Sequence, residues 1–394
     1  MNISVFIKKT TFHKGSGGFE TQNKVLCEGL VRLGHKVTIF TPQGSVPDGI
    51  LSQNGVDYVF IPSVYRMLFS TGSNNWAVKS YKVFEKYHAR QPFDLIISQS
   101  SAGIGVLGHK EELQIPAISI AHGTIISEIR TRLKNFKLQN PSDLYKVIRD
   151  TVYSLTNFFT RQREYLHKAN KIVAVSSFVK NSIIDEVHCP EEKIRVVYNG
   201  VSPLDFDVSD KDYSPVNILF IGRLEREKGV NYLPELAQRL GSYQYKMDII
   251  GDGPELSSLK SKVAELGLAD KIIIHGKVPF EEIPSFYSKA TVFLFPTRRY
   301  EGFPMVLVEA GMSGIPIIAF DMGGTKDAVI DKITGFLCKE DEIACFSQKL
   351  ESLVADVKLR ESMGRNSRVR FEQTFSVESM INSYNELIME LVKK

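Results

Sequence analysis

The chain reads as an α/β protein made of two Rossmann-like, doubly wound parallel-sheet domains, and three observations predict it. Short apolar runs alternate with amphipathic helical stretches along almost the whole length. The series runs twice, and the turn-forming stretch Tyr198-Asn199-Gly200-Val201-Ser202-Pro203 lies between the two runs. At 394 residues the chain is too long for one ordinary core and suits two.

In the first half, Ile3 to Ile7 reads as a strand and Gly15 to Gly18 as a turn. Glu20 to Leu33 reads as an amphipathic helix closed by Gly34, and Val37 to Phe40 as the next strand, completing a βαβ unit. Further strands fall at Tyr58 to Ile61, Leu95 to Ser98, Ala117 to Ala121 and Lys171 to Val175, with helical patterns between several of them, which argues a sheet covered on both faces. The second half repeats this at Ile218 to Ile221, Lys246 to Ile250, Ile272 to His275, Val292 to Phe295 and Ile317 to Phe320. The expected domains are therefore 1–199 and 200–375, followed by a terminal stretch 376–394 whose helix runs from about Val377 to Val392. Loops that follow parallel strands face the ligand in such folds, and the candidate residues lie mostly in them.

Composition excludes several classes. With 43% hydrophobic and 24% charged residues, disorder is not indicated. The apolar run at the N-terminus is too short for a signal peptide, and no stretch approaches the ~18 residues that span a bilayer, so a cytoplasmic protein is expected. Cys27, Cys189, Cys338 and Cys345 are widely spaced, which suits small buried thiols rather than a disulfide framework or a zinc site. The net charge of +4 is uneven, because between Thr124 and Lys171 ten basic residues face four acids. Aromatic and aliphatic residues such as Leu144, Tyr145, Val152 and Phe159 interleave with them. That mixture fits an anionic membrane surface, and it equally fits a pair of amphipathic helices with solvated cations. No nucleic-acid module is recognisable.

Residues 299 to 316, RYEGFPMVLVEAGMSGIP, carry the most information. Glu301 and Glu309 stand eight apart around a Gly302-Phe303-Pro304 turn, after an apolar run from Ala290 to Phe295 that reads as a buried strand. Pro304 is expected to open a helix, where proline is tolerated, leaving the amides of Met305 and Val306 free. A helix start suits a diphosphate, and the flanking carboxylates suit sugar hydroxyls. Gly17-Gly18-Phe19-Glu20 follows the first strand but lacks the G-x-G-x-x-G spacing of a nicotinamide site. Gly222-Arg223-Leu224-Glu225-Arg226-Glu227-Lys228-Gly229 follows the first strand of the second half. Its cations suit a leaving phosphate, and alternatively form a solvated cluster with Glu225 and Glu227.

These stretches together resemble the retaining glycosyltransferases of family 4. The 301–316 segment matches the E-x7-E signature of that family, and Asp321-Met322-Gly323-Gly324 its D-x-G-G loop. Gly17 to Glu20 is similar to its G-G-x-E loop, Gly222 to Gly229 to its G-R-L-x-x-x-K-G pattern, and Asn199-Gly200-Val201 to its interdomain junction. The departures are Asp327, where Glu is frequent, and the lack of an aspartate after Val201. The resemblance covers essentially the whole chain and implies the GT-B fold with a deep cleft between the domains. It also implies that the last helix packs back on the first domain. By the same resemblance Glu301 and the Gly17-Gly18 loop position the donor sugar, and Glu309 holds the ribose. Arg223 and Lys228 take the diphosphate, while Gly276-Lys277-Val278 contact the base through their backbone. His122 of Ala121-His122-Gly123 is similar to the cleft histidine, although a lone histidine at a strand end is often structural.

The implied activity is transfer of a hexose-type sugar, with retention, from a nucleoside diphosphate sugar, UDP by prior frequency, to a hydroxyl of a glycan or lipid-linked acceptor. No cofactor and no metal is expected; the D-x-D spacing of Asp205-Phe206-Asp207 falls in the linker and reads as chance. An epimerase, a phosphorylase or a noncatalytic sugar-nucleotide binder of similar architecture remain the alternatives.

Overall fold

Strands β1 (Asn2–Phe6), β2 (Lys36–Pro42), β3 (Ile50–Gln53), β4 (Val56–Ile61), β5 (Leu95–Gln99), β6 (Ala117–Ala121), β7 (Lys171–Ala174) and β8 (Ile194–Val196) form one sheet, in the order β3-β4-β2-β1-β5-β6-β7-β8. The second holds β9 (Asn217–Ile221), β10 (Lys246–Ile250), β11 (Ile272–Gly276), β12 (Val292–Phe295), β13 (Ile317–Phe320) and β14 (Gly335–Cys338), in the order β11-β10-β9-β12-β13-β14. This computed structural model describes residues 1–15, 17–44, 46, 50–63, 75–136, 141–202 and 211–392. Ser16 of the glycine turn, Lys137, Pro203 and the Asp205-Phe206-Asp207 triplet lie outside them.

The chain divides into two units, Met1–Ile129 with Leu138–Asn199 and Val377–Lys394, and Arg130–Lys137 with Gly200–Ser376. Residues 130–136, read from the sequence as part of the first half, thus pack with the second. There the Thr131 hydroxyl accepts the Tyr300 amide at 3.1 Å, and Lys134 pairs with Glu340.

All pairings in the second sheet are parallel, and its strands are apolar on both faces because helices cover both sides. Its core gathers Ile218, Phe220, Leu236, Ile249, Val292, Leu294, Ile318 and Phe346, each 2% exposed or less. In the first sheet β3 departs from the parallel expectation. It runs antiparallel to β4 because Asn54 and Gly55, with φ of 52° and 78°, make the tight turn that suits a hairpin. The helix Val377–Val392 belongs to the first unit, where Met380, Ile381, Tyr384, Leu387 and Ile388 are buried and Arg195 pairs with Glu386 at 2.8 Å.

Candidate functional site

Strands β9, β12 and β13 are neighbours and parallel, so the loops that leave them emerge at one carboxyl edge. The loop after β9 runs through Arg223 into a short turn, Arg226–Lys228. That after β12 runs to helix Met305–Met312, and that after β13 is Asp321 to Gly324. Two backbone hydrogen bonds and two glycines lock them together. The Arg298 amide donates to the Glu227 carbonyl at 2.8 Å, and the Gly324 amide to the Glu301 carbonyl at 2.9 Å. Gly229 and Gly323 hold φ of 73° and 53°, and a Cβ would stand 1.9 Å from the Pro296 oxygen and 2.4 Å from the Glu301 oxygen respectively. Only glycine lets these loops approach so closely.

Side chains repeat the arrangement. Arg299 Nη1 meets Glu227 Oε1 at 2.5 Å, and Lys228 pairs with Glu301, both of the latter being 18% exposed at the side chain. Glu301 is therefore already matched to a cation. Arg223 is mostly exposed and reaches Glu225 at 2.6 Å. With Arg223, Lys228 and Glu301, the sequence-predicted donor residues are brought to one edge of one unit.

Pro304 does not open the helix. With φ −73° and ψ 115° it is the N-cap, and the first helical residue is Met305. Pro304 follows the bend at Gly302 and Phe303, and its carbonyl accepts the Leu307 amide at 3.1 Å. Met305 and Val306 are left as the first two residues of the helix, whose amides have no intrahelical acceptor. Phe303 is buried and its ring packs on Phe375 with centroids 5.3 Å apart, so it anchors the turn and offers a ligand only its backbone.

Glu309 lies one turn into that helix, partly exposed, and its Oε2 accepts the Tyr287 hydroxyl at 2.7 Å. Burial pushes its carboxyl up to about 7, and the Tyr287 bond acts the other way. Gly276 ends β11 with φ 71° and its carbonyl accepts the Gly251 amide at 2.8 Å; Lys277 is exposed and Val278 partly buried. The Asp252 carboxylate turns onto the Gly253 amide at 2.8 Å, as in an ordinary turn.

In the first unit Gly17 is the N-cap of helix Gly18–Arg32, and the Glu20 carboxylate accepts the Gly17 amide at 2.8 Å. The acid of the G-G-x-E stretch thus holds the loop. His122 follows β6; its Nε2 lies 2.8 Å from Gln99 Oε1, its ring meets Phe19 edge-on at 4.5 Å, and burial lowers its pKa to about 4. Tyr287, Arg299 with Glu227, and Gln99 were not singled out from the sequence. Tyr287 follows Ile283 at helical spacing, as any core aromatic would, and Glu227 reads as a solvated acid until Arg299 is seen beside it.

Residues 124–171 form helices Ile125–Lys134, Pro141–Asn157 and Arg163–Lys168, with a wider turn at Phe158–Gln162. Leu144, Ile148, Val152, Leu155 and Phe159 follow helical spacing and are 38% to 62% exposed, a continuous apolar stripe beside exposed Lys146 and Arg149. Among the described residues no helix is long and apolar enough to cross a membrane, and no group of three or more His, Cys, Asp or Glu gathers as metal ligands.

Two Rossmann-like parallel sheets, with a helix start flanked by paired cations and acids, are the architecture of a GT-B glycosyltransferase. Residues 202–370 match the family described as "Glycosyl transferases group 1" and residues 16–203 that described as "Glycosyltransferase Family 4". The chain belongs to glycosyltransferase family 4 and is a glycosyltransferase. It is 24% identical to the uncharacterized glycosyltransferase MJ1607 of Methanocaldococcus jannaschii, over 95% of this chain and 96% of that one. It is 29% identical to the capsular polysaccharide biosynthesis glycosyltransferase CapM of Staphylococcus aureus, over 71% and 79% of the two. Among solved structures, sucrose-phosphate synthase of Thermosynechococcus elongatus aligns with a TM-score of 0.76 at 20% identity, covering 99% of this chain and 98% of the other. HepE of Anabaena, solved with UDP, aligns with a TM-score of 0.73 at 18% identity, covering 99% and 100%.

Proposed function

We propose that the chain moves a hexose-type sugar from a nucleoside diphosphate donor, with UDP favoured, to a hydroxyl of a glycan or lipid-linked acceptor, keeping the anomeric configuration. The observation that carries this is the Lys228–Glu301 pair set beside the free amides of Met305 and Val306. Donor binding exchanges partners there: the diphosphate takes Lys228 and the two amides, and a sugar hydroxyl donates to the released Glu301. Arg223 swings from Glu225 to the same phosphates. As the glycosidic bond breaks, negative charge grows on the leaving phosphate, and the two cations and the helix start stabilise it without requiring a metal. Glu309 accepts the ribose hydroxyls, Gly276 to Val278 line the base, and His122 with the Gly17-Gly18 loop serves the sugar. Departure and attack on one face through an oxocarbenium-like state follows from the family resemblance. The solved structures of HepE with UDP-glucose support a UDP-linked donor, and CapM and the lipopolysaccharide 1,6-galactosyltransferase of Escherichia coli support a glycan acceptor.

The apolar stripe of the 141–157 helix, with Lys146 and Arg149 beside it, is read as a contact for an anionic membrane surface, which would bring the enzyme to a lipid-linked acceptor. The donor reading is tested by incubating the protein with UDP-, GDP- and ADP-sugars and following release of the nucleoside diphosphate. Release from at least one donor, lost in Arg223→Ala, is the expected result. No release from any of them, or full turnover in that variant, contradicts it.

A further inference from the structure

Asn23, Gln99 and His122 form one hydrogen-bonded relay in the first unit, buried at Asn23 and Gln99 and partly exposed at His122. Asn23 lies on helix 18–32, Gln99 ends β5, and His122 follows β6, and Asn23 and Gln99 are each 3% exposed. Gln99 Nε2 donates to Asn23 Oδ1 at 2.9 Å, which leaves Gln99 Oε1 turned to His122 Nε2 at 2.8 Å. The direction of the chain is anchored at its far end. The Cys27 thiol, fully buried and held protonated by burial, points to the same Asn23 Oδ1 at 3.9 Å. Thiol and amide N–H groups both need an acceptor there, so Asn23 presents its oxygen and Gln99 its nitrogen.

An amide oxygen only accepts, and Nε2 can therefore face Gln99 only as N–H. From this geometry we infer that Asn23 and Gln99 are positioning residues that commit the His122 proton to Nε2 and leave Nδ1 as a bare acceptor for a hydroxyl of the bound sugar. Nδ1 has no hydrogen-bond partner among the described residues. The edge-on Phe19 ring, 4.5 Å away, holds the imidazole plane. Burial keeps the ring neutral near pH 7, so its lone pair stays available. The sugar contact rests on the proposed function, whereas the tautomer does not.

The test is a long-range 15N–1H spectrum of the ligand-free protein, with the His122 signals assigned by their loss in His122→Ala. The expected spectrum shows a pyrrole-like Nε2 and a pyridine-like Nδ1. In Asn23→Leu and Gln99→Leu the two nitrogens shift toward a mixture, and kcat/KM for the donor falls on the order of tenfold. Asn23→Asp keeps an acceptor for Gln99 and should preserve both the wild-type tautomer and most of the activity. A wild-type ring protonated on Nδ1, a changed tautomer in Asn23→Asp, or leucine variants with unchanged His122 signals each overturn the relay. If the leucine variants fail to fold, wild type and Asn23→Asp still decide. Because the tautomer is read without substrate, its failure is distinct from absent nucleoside diphosphate release, which bears on the proposed function alone.

Discussion

The Tyr287 hydroxyl donates to Glu309 Oε2 across 2.7 Å, joining helix Ile283–Lys289 before β12 to the helix after it. Tyr287 is fully buried and Glu309 only partly exposed, so the acid proposed to meet a ribose sits where its charge is costly.

Donor affinity should therefore depend on pH. Glu309 is raised to about 7, and if its carboxylate form accepts the ribose hydroxyls as proposed, affinity falls as pH drops through that value. Removing the hydroxyl in Tyr287→Phe removes the contact that opposes the rise, so the loss of affinity should begin at a higher pH. Calorimetric titration with nucleoside diphosphate across this range checks it; identical profiles for the two proteins would count against the role of Tyr287.

The same shift sets a stability trade. A carboxyl raised in the folded chain binds its proton more tightly there than in the unfolded chain. Its effect on stability is favourable at low pH and is lost as pH rises from the ordinary carboxylate range to about 7. Glu309→Gln removes this loss, and should gain on the order of 1 kcal/mol over wild type on going from about pH 5 to about pH 8. Urea denaturation at both values measures it, and the variant should bind donor poorly throughout.

Gly229→Ala should be among the most damaging small substitutions, because a Cβ there would meet the Pro296 oxygen at 1.9 Å with φ at 73°. A destabilisation of about 2 kcal/mol or more follows, with Lys228 displaced and nucleoside diphosphate release reduced. Denaturation midpoints and single-turnover rates report the two effects separately.

Much of this was legible in the sequence. Strands β10 and β13 and the last helix fall where apolar periodicity puts them, and the E-x7-E stretch lies between β12 and β13 as expected. The hairpin of β3 and β4 carried a signal in Asn54-Gly55, but β3 is only four residues long and its Leu51-Ser52-Gln53 is too polar to stand out. Pro304 shows a different limit, since proline fits N-cap and first-turn positions alike and only the backbone ψ separates them. Partners distant in sequence, such as Arg299 with Glu227 and His122 with Gln99, depend on which strands are neighbours, and periodicity does not give that order.

The stripe on the 141–157 helix gives a prediction of its own. Ile148→Asp with Val152→Asp should abolish flotation with anionic liposomes and leave release from a soluble donor unchanged, since both side chains are more than half exposed. Wild-type protein that stays unbound at low salt would remove the membrane contact from the account.

The most direct test of the central claim is binding of UDP, GDP and ADP to wild type, Lys228→Ala and Arg223→Ala, followed by calorimetry. One of the three should bind wild type, with affinity reduced on the order of tenfold or more in Lys228→Ala and measurably in Arg223→Ala. Binding of none of them, or equal affinity in wild type and Lys228→Ala, would show that the start of the 305–312 helix does not hold a diphosphate.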